Sequence, residues 1–472
     1  MFRALAPAHG YTEEILTKLG VAMTADLDTP TPEDQHDDEE NTGISAGYTY
    51  LGQFIDHDLT FDPASSLQKQ DDPDALVDFR TPRFDLDNLY GRGPDDQPYL
   101  YQGDGQHLLL GPPLTGNPDD PNARGLARNQ PSGADPARAI IGDPRNDENV
   151  IVSQLQANMI RFHNRVVDVL GPTATFEQCQ QTVRWHYQWV VLHDFLPTVI
   201  GLDTWHAILP NIAKGTTVLE DPPHVHFYKP KHSAFMPVEF SVAAYRFGHS
   251  MVRPIYRLNQ TIPRFPIFST TGESLAGFRA FPTNWAIDWR LFFNFGGAPP
   301  LGPTRVQPAY KIDTSVVNPL GSLPPSVASN PASLPVRNLL RGFRMDLPSG
   351  QAVARAMGMT PIPDSKLHVG KATEADTGGN PLLTSVSDVF KNNAPLWYYL
   401  LAEAQQEFQD NNTPIHLGPV GGRIVGEVFV GLMLADSHSF LRQNPSFQPR
   451  QDFQSAAGTF GMAELLLQAK KA

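Results

Sequence analysis

The chain has 472 residues, of which 40% are hydrophobic and only 18% charged. That length allows one large domain or several of about 100–200 residues each. Its 36 Lys and Arg against 50 Asp and Glu give a formal net charge of -14. This argues against nucleic-acid binding and against electrostatic docking on anionic lipid, both of which need a cationic surface. The 44 prolines and 37 glycines point to long ordered connections. A single cysteine, Cys179, excludes an intrachain disulfide and any all-cysteine metal centre, and reads as a buried small hydrophobe.

Residues 1–45 read as an irregular N-terminal segment wrapping the domain. The acidic run Glu33–Glu40 is expected in a solvated loop. The first residues lack the apolar run of a secretory leader. No stretch reaches the ~18 apolar residues of a membrane span. The best candidate, Ile424–Ala435, carries Glu427 and reads as a buried core helix. A cytoplasmic location is therefore expected, with export by another route left open.

Helical patterning is predicted near 46–58, from Asn149 to Leu170, from about Thr175 to Val199, and near 235–252, 280–294, 333–342, 350–357, 394–409 and 417–442. Residues 62–140 and 296–332 read as Pro- and Gly-rich loop. Strand-like alternation is scarce, and no internal repeat is found. The expected architecture is one large, mainly α domain with long ordered loops and little β.

Four constellations carry chemistry. In Gly52–Thr60 (GQFIDHDLT), Gln53 and His57 are i,i+4 and share a helix face flanked by Asp56. A satisfied polar helix end is the alternative there. In Gly142–Asn149 (GDPRNDEN), Arg145 and Glu148 lie about one turn apart, and Asp143 or Asn146 could cap the helix that follows. His163-Asn164-Arg165 lies on that helix. In Ala243–Val252 (AAYRFGHSMV), His249 follows a glycine and small residues, which leaves room for a flat partner; alone, it would more often be a core histidine. On Leu334–Arg341, Asn338 and Arg341 are i,i+3 and face the same way. His224 with His226, and His186 with His193, could bind metal, but no matching acidic or sulfur ligand accompanies them.

Taken in order, GQFIDHD, the T-x-x-x-D-x-D…YG segment at 81–91, GDPRNDEN with HNR, YRFGHSMV and RNLLRGFR resemble the animal-type haem peroxidases, the peroxidase–cyclooxygenase superfamily, in a short bacterial-like form. The resemblance spans about residues 46–345 and implies that residues 46–472 form the catalytic domain. It implies haem b as cofactor, with His249 as the iron ligand and Asn338 accepting from His249 Nδ1. His57 would be the distal base, Arg145 the distal cation, and Gln53 the glutamine that orders pocket water. Arg246 and Arg341 would face the propionates or the pocket wall. Asp56 and Glu148 fall where relatives form ester bonds to haem. Both carboxylates are present, so covalent attachment is left open. Asn149 stands where one relative has a sulfonium-forming methionine, so that bond is expected to be absent.

The resemblance also implies Ca2+, held by Asp58, Thr81, the Arg83 carbonyl, Asp85 and Asp87. The family more often has Ser at the last position.

The implied activity is reduction of hydrogen peroxide through a ferryl intermediate, with oxidation of a small-molecule electron donor (halide, thiocyanate or phenols), in the response to oxidative stress. The alternative is a fatty-acid oxygenase (dioxygenase) of the same superfamily. Those enzymes carry a Tyr three residues before the proximal His, where this chain has Arg246. Tyr245 is one residue off, about 100° away around a helix. A haem-binding protein without activity is the third reading, disfavoured while His57, Arg145 and His249 are all present. Nucleic-acid and membrane partners are not expected, and the oligomeric state is left open.

Overall fold

The computed structural model describes residues 1–33, 37–60, 80–133, 136–230, 233–328, 330–373, 379–406 and 413–472. Expectations for 34–36, 61–79 and 407–409 lie outside the described residues. The longer helices are α1 (Glu13–Ala22), α2 (Ala46–Leu59), α3 (Val150–Leu170), α4 (Phe176–Val190), α5 (Leu334–Arg344), α6 (Leu396–Gln406), α7 (Pro419–Ala435) and α8 (Met462–Ala469). The strands are short: β1 (Glu40–Ser45), β2 (Ile255–Tyr256), β3 (Phe265–Pro266) and β4 (Pro308–Tyr310). They form two antiparallel pairs, β1 with β4 and β2 with β3. The chain is therefore mainly helical, as expected.

The organising element is α3. Every residue from Val150 to Asn164 is buried, polar ones included. A helix buried all round must satisfy each polar side chain from its neighbours. Here the loops do so. Arg161 makes two hydrogen bonds to Asp120, at 2.6 and 2.9 Å. Gln154 donates to Trp285 O at 2.7 Å and accepts from Ile287 N at 2.8 Å. Asn164 accepts from Leu108 N at 2.8 Å. The long connections around 80–128 and 280–290 are thus ordered because α3 holds their backbone.

The region near 280–294 is not a helix. It forms two 3-10 turns, Thr283–Trp285 and Trp289–Leu291, the second capped by Asp288. The stretch 235–252 likewise splits, into a π turn (Glu239–Ala243) and a 3-10 segment (Ala244–His249), the backbone leaving helical geometry at Ala243, the last residue of the first. α4 runs on through a π turn, Val191–Phe195, into Leu196–Ile200. Pro197 lacks an N–H, and the widened turn lies just before it.

The N-terminal segment is more ordered than expected. α1 buries Leu16 and Leu19 and packs on α5. A Cβ on Gly20 would lie 2.6 Å from Val336 Cγ2 and 2.9 Å from its Cα, so this crossing needs glycine. The described end of the acidic run, residues 37–40, is not simply solvated: Glu39 and Glu40 are buried. Glu40 is buried and binds Arg253 at 2.8 Å and Arg305 at 2.9 Å, Tyr310 donates to Asp37 at 2.8 Å, and Glu39 pairs with Lys371. Charges this deep persist only when paired.

Cys179 is free and buried. Among the described residues, no helix is long and apolar enough to cross a membrane.

Candidate active site

α2 places Gln53, Asp56, His57 and Asp58 within a turn and a half of one another. His57 is buried, and its Nδ1 lies 2.6 Å from Asn146 Oδ1. Burial and the nearby Arg145 cation push its imidazole down to about 4, against the opposing pull of Asp143 and Asp56. At neutral pH it is an uncharged ring.

Arg145 sits in the 3-10 turn Pro144–Asp147, capped by Asp143, which accepts from Arg145 N at 2.8 Å. The guanidinium is held by the Asp143 carboxylate (Nη2 at 2.8 Å, Nε at 3.1 Å), by His57 O at 3.2 Å, and by Thr60 O. Arg80 binds Asp143 Oδ2, the oxygen that Arg145 Nη2 also binds, at 2.5 Å. Burial pushes the Asp143 carboxyl up, but Arg145, His57 and Arg80 hold it well below the usual range.

Asn149, and neither Asp143 nor Asn146, caps α3. Its Oδ1 accepts from Ile151 N at 3.0 Å and Val152 N at 2.9 Å, and its Nδ2 donates to Gln53 Oε1 at 3.1 Å. Gln53 donates in turn to Glu148. Burial raises Glu148 to about 7, with Arg145 and Gln53 pulling down and Asp143 and Asp56 pushing up. The structure therefore brings Gln53, Asp56, His57, Arg145 and Glu148 together.

On the other side, the 3-10 segment ends at His249. Gly248 before it has open space where a side chain would be: an added Cβ would meet nothing within 4 Å. Gly248, His249, Arg246, Gln53, Asp56 and Glu148 are each half-buried. Tyr245 ties this segment to α2, its hydroxyl donating to Gly52 O at 3.2 Å. Burial lowers Arg246 to about 10; Asp56 opposes this, and Arg341, Arg337 and Arg145 add to it. The charges of Asp56 and Arg145 thus act on the segment that carries His249.

Burial and Arg246 push His249 down to about 3. Asn338 lies against it with its amide nitrogen, not the expected oxygen, toward Nδ1. Its Nδ2 is 2.7 Å from His249 Nδ1, and its Oδ1 accepts from Arg246 Nη1 at 3.4 Å. Acceptance from Nδ1–H, which frees Nε2 for iron, needs a 180° turn of the amide.

Asp58, Asp85 and Asp87 converge, their oxygens within 4.8 Å of one another. Asp58 is fully buried, and neither carboxylate oxygen has a hydrogen-bond partner. Burial and the Asp85 and Asp87 charges raise its carboxyl. Asp87 is raised to about 7 by burial and Asp85, opposed by Arg80 at 3.0 Å. Thr81 joins through a hydrogen bond to Asp85 Oδ2 at 2.6 Å. The Arg83 side chain points away, 3.9 Å from Asp436, leaving only its main chain for the cluster. Of the other candidate histidines, His186 bonds Thr182 O and Arg450 N, His193 packs on Trp189, and His224 and His226 are exposed. Asn146, Asp143, Arg80 and Gln156 were not singled out as site residues from the sequence; buried amides and carboxylates flanking Arg145 and Asp58 are the signal that could have found them.

A family model described as animal haem peroxidase matches residues 65–274. Peroxidasin of Drosophila melanogaster is 23% identical over 347 residues, covering 68% of this chain and 20% of that one. This chain thus spans about a fifth or less of the length of the curated relatives it matches. Among solved structures, peroxidase A from Dictyostelium discoideum superposes with a TM-score of 0.58 at 15% identity, covering 95% of this chain and 92% of that one. The fatty acid alpha-dioxygenase of Oryza sativa gives a TM-score of 0.52 at 14% identity, covering 98% and 77%. The fold, the ordered motifs and the family model over residues 65–274 agree, and together they support the animal-type haem peroxidase superfamily.

Proposed function

We propose that this protein is a haem-dependent peroxidase that reduces hydrogen peroxide and oxidises a small donor such as a halide, thiocyanate or a phenol. The observation that carries this reading is the distal cluster. An uncharged buried imidazole, His57, stands beside a cation, Arg145, that is bonded to the same helix end. The open space at Gly248, next to the half-buried His249, leaves room for a flat cofactor. His249 would hold the iron, with Asn338 as the partner of its Nδ1, and Arg246 and Arg341 would meet the propionates. Haem, when bound, supplies the electron-transfer chemistry.

The residues supply the proton chemistry. His57 Nε2 takes a proton from one peroxide oxygen and returns it to the other, which makes the departing oxygen a better leaving group. Arg145 offsets the negative charge that develops while the proton is on His57. Gln53, tied to Glu148 and Asn149, orients its amide in the same pocket.

Calcium fits the Asp58, Asp85 and Asp87 cluster, where one buried and two half-buried carboxylates oppose one another and Asp58 has both oxygens unpartnered. A hard cation with oxygen ligands relieves that repulsion. Ester links from Asp56 or Glu148 to haem also belong to this proposal.

The dioxygenase reading is favoured by the likeness to the rice enzyme. Against it, Arg246 stands three residues before His249, and the Tyr245 hydroxyl is engaged with Gly52 O. Purified protein assayed with H2O2 and guaiacol, and separately for oxygen uptake with a fatty acid, tells the two apart.

A further inference from the structure

His57 can serve as a base only if its lone pair is on the nitrogen that faces the pocket. The buried amides behind it settle which nitrogen that is. The Asn88 main-chain carbonyl can only accept, and it takes Gln156 Nε2 at 3.3 Å. Gln156 must therefore turn Oε1 the other way, toward Asn146 Nδ2, which donates to it at 2.8 Å. Asn146 is thereby left with only Oδ1 to offer His57 Nδ1, at 2.6 Å. A carbonyl oxygen cannot donate, so the proton between them belongs to the ring. Asn146 and Gln156 are fully buried, so water does not compete for these bonds.

We infer that Asn146, held in orientation by Gln156, is the positioning residue that fixes His57 as the Nδ1–H tautomer, with the lone pair on Nε2. This rests on the reading of His57 as the base. The bond survives the catalytic cycle. When Nε2 takes a proton, Nδ1–H stays on Asn146, so the proton can leave only from the nitrogen that received it. The ring also cannot turn over about Cβ–Cγ without breaking this bond. The relay starts at Asn88, next to Asp87, so it also links the base to the loop that carries the acidic cluster.

The test reads the tautomer directly. The protein is labelled with 15N-histidine, with haem in its diamagnetic ferrous carbon-monoxide form, and the ring is followed by long-range 15N–1H correlation. The His57 signals are assigned through a His57→Gln variant. In the parent, Nδ1 should be protonated and Nε2 bare. Asn146→Leu keeps the shape and removes the acceptor, and should shift His57 to Nε2–H. Asn146→Asp, which keeps an acceptor, should restore Nδ1–H. Gln156→Leu frees the Asn146 amide to turn and should give a mixture. The reaction with H2O2 should slow about 10–100-fold in Asn146→Leu, part of the 10²–10⁴ available to acid–base catalysis.

A parent already in the Nε2–H form, or an Asn146→Leu protein that keeps Nδ1–H, overturns the inference. Should the tautomer respond as expected while the parent does not react with peroxide, the peroxidase reading fails and the assignment of Asn146 stands.

Discussion

The His57 main-chain carbonyl accepts a hydrogen bond from Arg145 Nη2 at 3.2 Å, so the candidate base and its cation are bonded to each other across 88 residues of chain. Arg145 also holds Thr60 O, where α2 ends. The charge is placed by a fork that grips a carboxylate and two carbonyls at once. A lysine ammonium keeps the charge and loses the fork. Arg145→Lys should therefore slow the reaction of the haem-loaded protein with H2O2 by about 10²–10³-fold, the size of an electrostatic contribution to the transition state. Stopped-flow absorbance in the Soret region reads this. A parent-like rate would remove Arg145 from the mechanism.

Asp58 follows His57 directly and shares a carboxylate cluster with Asp85 and Asp87. Purified protein should contain about one calcium per chain. Chelation should leave the three carboxylates opposing one another, lower the melting temperature, and slow the peroxide reaction more than it weakens haem retention. Asp58→Asn should reproduce both effects. Metal analysis together with thermal unfolding checks the pair. A calcium-free protein with parent stability and rate would disprove the site.

His163 tests the electrostatics of the central helix. It lies between the Tyr90 hydroxyl at 3.0 Å and Gln106 O at 2.8 Å, and burial lowers it from 6.5 to about 4. The folded state thus binds the proton less well than the unfolded chain. The stability this group provides is complete above pH 6.5 and is lost as pH falls toward 4. Against a His163→Gln variant, the parent should lose about 1.4 kcal/mol per pH unit across that window. Urea unfolding of both proteins at several pH values measures the difference; a constant gap would mean that His163 is protonated in the fold.

Asp56 and Glu148 bear on haem attachment. Glu148 is engaged by Gln53 and raised to about 7, so near neutral pH only part of it is carboxylate. Asp56 Oδ1 accepts from the Thr60 hydroxyl at 3.1 Å. We expect protein with a mixture of free and linked haem, with H2O2 raising the linked fraction and Asp56→Ala and Glu148→Ala each removing one bond. Denaturing mass spectrometry counts the bonds. Haem that stays wholly extractable after peroxide would leave both residues as hydrogen-bonding groups.

The helices that build the site were legible because their apolar spacing is regular: α2, α3, α4 and α5 lie where the periodicity puts them. The candidate residues on them were legible because an ordered set of motifs tied them to a known family. What stayed hidden is non-local. The Glu33–Glu40 run looks solvated in sequence, but Glu40 finds its cations at Arg253 and Arg305, more than 200 residues away. The 280–294 stretch has helical spacing, yet Gln154 on α3 takes its backbone groups. Asn146 reads locally as a helix cap, and only the fold shows that the cap is Asn149 and that Asn146 belongs to His57.

The most direct measurement of the central claim is the rate at which haem-loaded protein reacts with H2O2, compared between the parent and His57→Ala. The account predicts a rapid parent reaction coupled to donor oxidation, and a variant that retains haem through His249 but reacts about 10²–10⁴-fold more slowly. A parent that ignores peroxide and consumes oxygen with a fatty acid, or a His57→Ala protein that reacts at the parent rate, would contradict it.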